Sequence, residues 1–123
     1  MVEEERQALA RAESDYDETK RQLNHSLNQV GHEKQHFNQY LESLTDNLRR
    51  VQNDSNEDFN MPVDVLEEMR NESRSLFNRA ENEIENELMA NQQAFSMKQE
   101  RYEKAIRDEL IREIEDESRY NFR

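Results

Sequence analysis

Val2, Leu9, Tyr16, Leu23, Val30, Phe37, Leu44 and Val51 recur at steps of seven, and every one is apolar. Such a row predicts a long helix with a coiled-coil-like seam. Its companion row is uneven. Three residues on stand Ala12, Thr19 and Ser26, then Glu33 and Tyr40; four residues on, Leu27, Lys34, Leu41 and Leu48 make a second ridge. The apolar stripe is therefore thin at the start of the helix and wider beyond Leu27, so the strongest packing is expected in the half nearest the middle of the chain. Later in the chain, Leu66, Met69, Ser73, Leu76 and Ala80 step three and four, followed by Ile84 and Leu88 at steps of four, then Phe95, Tyr102, Ile106, Leu110 and Ile114. This drift toward an eleven-residue repeat relaxes a left-handed supercoil. Phe77, Met89, Met97 and Ile111 lie off that line, making the second apolar face broader than one seam can cover.

Between the two patterns lies QNDSNEDFNMP, residues 52–62, which holds the only Pro. Asn60 can cap a new helix, Pro62 suits its first turn, and Asp64, Glu67 and Glu68 complement its dipole. The expected fold is all-α, a long antiparallel two-helix hairpin in a single unit, 1–123. Helix 1 is placed at about 2–52, the turn at about 53–61 and helix 2 at about 62–119.

Composition narrows the function classes. Among 123 residues, charged side chains reach 37% and hydrophobic ones 33%, with one Gly, one Pro and no Cys. Folds rich in turns need more Gly and Pro than this. A disulfide framework or Cys-ligated zinc is excluded. No stretch approaches the roughly 20 apolar residues of a membrane span, and the acidic start MVEEERQAL is unlike a signal or transit peptide, so no membrane insertion is expected. A net charge of −12 disfavours nucleic acid as a partner. The run ENEIENEL, with Glu81, Glu83, Glu85 and Glu87, reads as a solvated face, a dock for a basic partner being the functional alternative.

One stretch imitates a catalytic motif. Residues 32–36 read HEKQH, the H-E-x-x-H pattern in which two His bind zinc and the Glu serves as general base. His32, Glu33 and His36 fall at solvent or rim positions of the heptad frame, and catalytic zinc needs a third protein ligand and a shielded cavity. Gly31, just before them, weakens the helix that would carry the ligands. The match is read as fortuitous, with no metal, cofactor or catalytic residue expected. His25 lies on the same rim. The aromatic residues fall mainly on or beside the seams, where core is the default role. Phe59 stands alone in the polar turn, either capping the hairpin or serving as a turn anchor for a partner.

With its acidic opening helix VEEERQAL, polar mid-chain turn QNDSNEDFNMP and longer second helix, the chain resembles the small α-helical partner proteins of LXG-domain toxins in Gram-positive bacteria, within the helical-hairpin superfamily of type VII secretion. The turn lacks the W-x-G of the best-known branch. One class of these partners is associated with an F-x-x-x-D export signal; the nearest stretch here, Phe77 to Glu81 (FNRAE), departs from it, which favours a stabilising partner over a direct export signal. The resemblance implies a non-enzymatic adaptor. It would bind the helical N-terminal domain of a secreted toxin, with a second small helical protein and the secretion machinery as further partners, in the cytoplasm or co-secreted. Leu9, Tyr16 and Leu23 on the first arm and Phe95, Tyr102, Ile106 and Leu110 on the second are the expected contact residues. The competing expectation is a homodimeric or higher structural coiled coil, such as a scaffold or phage-type assembly protein.

Overall fold

A computed structural model describes residues 2–55 and 60–121, with side chains described over 2–54 and 62–119. Two helices account for all of it: α1 (Val2–Ser55) and α2 (Asn60–Asn121), which pack against each other as a helical hairpin. There is no strand among the described residues. Each helix extends a few residues beyond its expected end toward the turn, within the usual uncertainty of a helix boundary. Phe59, the expected turn anchor, lies outside the described residues, as does the side chain of Tyr120.

The hairpin divides into two compact units, residues 1–23 with 87–123, and residues 24–86. All of the described side chains that are buried belong to the second: Leu41, Thr45, Leu66 and Ser73. Leu41 is completely buried, at 0% exposure. It comes from the second ridge rather than from the seven-residue row, whose members from Val30 to Leu44 are half-buried. The ring of Phe37 meets that of Phe77 at 6.1 Å, tilted by 57°. Thr45 and Ser73 bring hydroxyls into this seam without orphaning them. Thr45 Oγ1 donates to the Leu41 carbonyl at 2.8 Å and Ser73 Oγ to the Arg70 carbonyl at 2.9 Å. Each bond returns to the residue's own helix, where a short polar side chain can share a carbonyl already in the ladder.

The packed row of α2 differs from the one expected. Within this unit it runs Leu66, Arg70, Ser73, Phe77, Ala80 with Glu81, and Ile84, steps averaging close to the 3.6 residues of a straight helix. Met69 and Leu76, expected in the seam, are exposed, Leu76 at 63%. One residue is about 100° of helical rotation, so bringing Phe77 against Phe37 turns Leu76 away. Val51 at the end of the first row is exposed as well.

Glu81 also departs from expectation. It is half-buried, and Lys34 Nζ reaches its Oε1 at 3.4 Å while donating to Asn78 Oδ1 at 3.3 Å. Lys34 thus occupies a seam position by laying its methylene stem along the interface and its ammonium on α2 carboxylate and amide oxygens. Glu83, Glu85 and Glu87 are exposed, as a solvated face requires.

Candidate functional site

In the unit made of residues 1–23 and 87–123, the seam is thin, as the small companion residues Ala12 and Thr19 require. Its centre is an aromatic stack. Tyr16 and Phe95 lie face to face, with Asn91 Nδ2 donating to the Tyr16 carbonyl at 3.4 Å and the Lys20 ammonium 5.8 Å from the Tyr16 ring centroid. Open grooves flank the rings, the larger of about 390 Å³ between Glu13, Asp17 and Lys20 on α1 and Gln92, Ser96 and Gln99 on α2. The larger is walled mostly by polar groups, and no described histidine lies in either.

The expected partner contacts therefore separate into two groups. Tyr16 and Phe95 are used on each other, and Leu9, Leu23, Tyr102 and Ile106 are half-buried seam residues. Leu110 is exposed. The apolar surface that this unit leaves open consists instead of Met89, Met97, Leu110, Ile111 and Ile114, all on α2. All five stood in the sequence pattern, Leu110 and Ile114 in the spaced row and Met89, Met97 and Ile111 off it. What the pattern could not separate was a seam residue from its outward neighbour.

The far end of α2 is the barest stretch. Glu109 is the last half-buried residue, and every residue from 110 to 119 is exposed although the helix continues to Asn121. Leu110, Ile111 and Ile114 are 38%, 47% and 63% exposed. Positions i, i+1 and i+4 share one face of a helix. On the same helical geometry Glu113 and Glu117 border that face on one side and Glu115 on the other. Arg107, also exposed, stands one turn before Leu110 on the same face, and Arg112 is drawn back to Glu109, 3.6 Å away.

A second apolar face lies on residues 24–86. Tyr40, Val65, Met69 and Leu76 are exposed, and each directly precedes a packed residue, Leu41, Leu66, Arg70 and Phe77. The two helices are antiparallel here, since Lys34 meets Asn78 and Glu81 while the later Phe37 meets the earlier Phe77. In an antiparallel pair the same rotational step on both helices leads to the same side. The four residues accordingly share one side of this unit. The residues that follow the packed ones, Glu42, Glu67, Asn71 and Asn78, make the other side polar.

His25, His32, Glu33 and His36 are all exposed on α1. Among the described residues no group of three or more His, Cys, Asp or Glu is placed to hold a metal ion, and no helix is long and apolar enough to cross a membrane. Comparison with known proteins returns no family model, no curated protein and no solved structure that matches the chain.

Proposed function

We propose that the chain is a non-enzymatic helical adaptor that binds the helical N-terminal domain of a secreted LXG-type toxin and assists its export by type VIIb secretion. The observation that supports this reading is the open apolar surface of α2, Met89, Met97, Leu110, Ile111 and Ile114, on a chain carrying a net charge of −12. A hydrophilic chain that keeps large aliphatic side chains in water over one helix has a use for them in an interface. Such an adaptor works by covering its partner's apolar helices before export, and its own acidity keeps the free form apart from other copies.

The test is co-expression with the helical N-terminal domain of an LXG-type toxin. Co-purification in a defined stoichiometry is expected, and Leu110→Glu with Ile114→Glu should abolish it without changing helix content. Binding that survives the double variant places the interface elsewhere; failure to co-purify with any LXG domain sinks the reading.

The one-sided face of Tyr40, Val65, Met69 and Leu76 favours a second reading, a homo-oligomeric structural coiled coil, because a patch that pairs with itself about a two-fold axis closes a dimer. Light-scattering mass of the isolated protein separates the two. A dimer that Met69→Ser and Leu76→Ser convert to monomer would replace the adaptor reading with the structural one.

A further inference from the structure

We infer that the exposed end of α2, residues 110–117, is a docking strip for a basic amphipathic helix. The inference deepens the adaptor reading, on which its biological meaning rests, by giving the chemistry of what the adaptor holds.

Three observations converge on that occupant. Leu110, Ile111 and Ile114 form a continuous apolar face of just over one helical turn, open to solvent and past the last residue that α1 packs against in this unit. An amphipathic helix laid along such a face buries its own i, i+3, i+4 and i+7 side chains there. The rim selects the sign of charge. Glu113 and Glu117 line one border and Glu115 the other; against these three acids stands Arg107, exposed one turn before Leu110 on the same face, while Arg112 is drawn back to Glu109. A helix with Lys or Arg on both flanks of its apolar stripe complements this rim, and an acidic one is repelled by it. The third observation concerns the strip's own stability. Four acids, Glu113, Glu115, Asp116 and Glu117, crowd toward the carbonyl end of α2, where the helix dipole favours cations, and only Arg119 stands in the last turn. From 110 to 119 every residue is exposed, so no packing supports the helix over that stretch. A cationic partner supplies both missing terms, apolar cover and positive charge, at one place.

The alternatives fit less well. A second copy would bring the same acidic rim against itself. The larger groove beside Tyr16 and Phe95 is polar-walled, and the exposed pair His32 and His36 lacks a third ligand among the described residues.

The experiment uses the full chain and a fluorescein-labelled synthetic peptide of roughly 18 residues, made only of Leu and Lys with Leu at helical spacing. Two counter-probes accompany it: the same Leu pattern with Glu in place of Lys, and the Leu and Lys residues scrambled to destroy the period. Anisotropy titration should give an affinity for the patterned Lys peptide about tenfold or more above either counter-probe. Ile111→Ser with Ile114→Ser should weaken that binding about tenfold. The triple change Glu113→Gln, Glu115→Gln and Glu117→Gln should weaken it about threefold at low salt, with the difference closing near 0.5 M salt. All five altered side chains are exposed, so circular dichroism is expected to be unchanged.

The inference is overturned if the scrambled peptide binds as tightly, if the acidic peptide does, if the serine pair changes nothing, or if no peptide binds. It is equally overturned if the protein alone forms a dimer that Ile114→Ser dissolves, since a second copy then covers the strip. A positive peptide result beside a failed toxin co-purification would sink the adaptor reading and leave the strip's chemistry standing; the reverse would sink only the strip.

Discussion

The rings of Tyr16 and Phe95 lie with centroids 4.5 Å apart and planes within 6° of parallel, joining α1 to α2 where the seam on either side is made of small or polar residues. With Ala12 and Thr19 as neighbours on α1, and Asn91 and Ala94 on α2, little else is available to hold the helices together locally. The stack should therefore behave as a coupled pair. A double-mutant cycle with Tyr16→Ala and Phe95→Ala, read by urea melting, is expected to show a coupling of about 0.5–1.5 kcal/mol beyond the single losses. Strict additivity would mean that each ring packs on its surroundings independently.

A similar experiment separates a packed seam position of α1 from an outward-facing one of α2. Leu41→Ala removes a fully buried side chain and should cost about 2–5 kcal/mol, the lost burial plus the cavity left behind. Leu76→Ala, at a position expected from its spacing to be core, should change stability by about 0.5 kcal/mol or less. Comparable losses at the two sites would contradict the observed seam.

The difference between those residues shows what spacing can convey. In α1 the members of the seven-residue row from Leu9 to Leu44 have no large apolar residue beside them, so the row picks out a single face, and Val2 to Leu44 all fall at the interface to some degree. In α2 apolar residues come in adjacent pairs: Leu76 with Phe77, Leu88 with Met89, Leu110 with Ile111. Either member of a pair continues a three-four rhythm. Only the identity of what lies opposite chooses between them, as Phe37 chooses Phe77. The same gap hid the role of Lys34 and Glu81. A charged residue in a seam position reads as an interruption until its partner on the other helix is known. Surplus apolar surface on α2 was legible, Met89, Met97 and Ile111 included; that Phe77 leaves it for the seam and Leu110 and Ile114 join it was not.

Lys34 offers a direct measure of that ion pair. Both charged ends are about one-third exposed, at 33% and 27%, which limits the attraction through solvent screening to a fraction of about 1 kcal/mol. Lys34→Met keeps the stem and drops the charge, so stability within about 0.5 kcal/mol of the parent is expected, or a small gain. Lys34→Glu sets like charge against Glu81 and should destabilise by about 1 kcal/mol, the loss shrinking as salt is raised. If Lys34→Met costs as much as Lys34→Glu, the pair itself is the stabilising element and the packing argument is wrong.

Gly31 sits within α1, and apart from its adjacent residues and the backbone of its own helix nothing lies within 4 Å of where a Cβ would stand. Nothing in the structure therefore requires a glycine, and the residue only weakens its helix. Gly31→Ala should raise stability by about 1 kcal/mol and increase helical ellipticity. A decrease would reveal a close approach at this position in solution.

Glu5 follows Val2 and precedes Leu9 in the three-four rhythm of the seam, and its Oε2 is buried without a hydrogen-bond partner. Two effects oppose each other there. An acid in the first turn of α1 gains about 0.3–1 kcal/mol from the helix dipole, whereas an unsatisfied buried oxygen costs about 1–3 kcal/mol. Glu3 and Glu4 stand in the same turn and keep the dipole supplied when Glu5 is replaced. Desolvation should therefore prevail. Glu5→Leu is expected to raise the melting temperature, by about 1 kcal/mol in stability, while Glu5→Gln leaves it nearly unchanged because the amide inherits the same missing partner. If Glu5→Leu lowers the melting temperature instead, the carboxylate is satisfied in solution, and its place in the seam is an asset that apolar packing cannot replace.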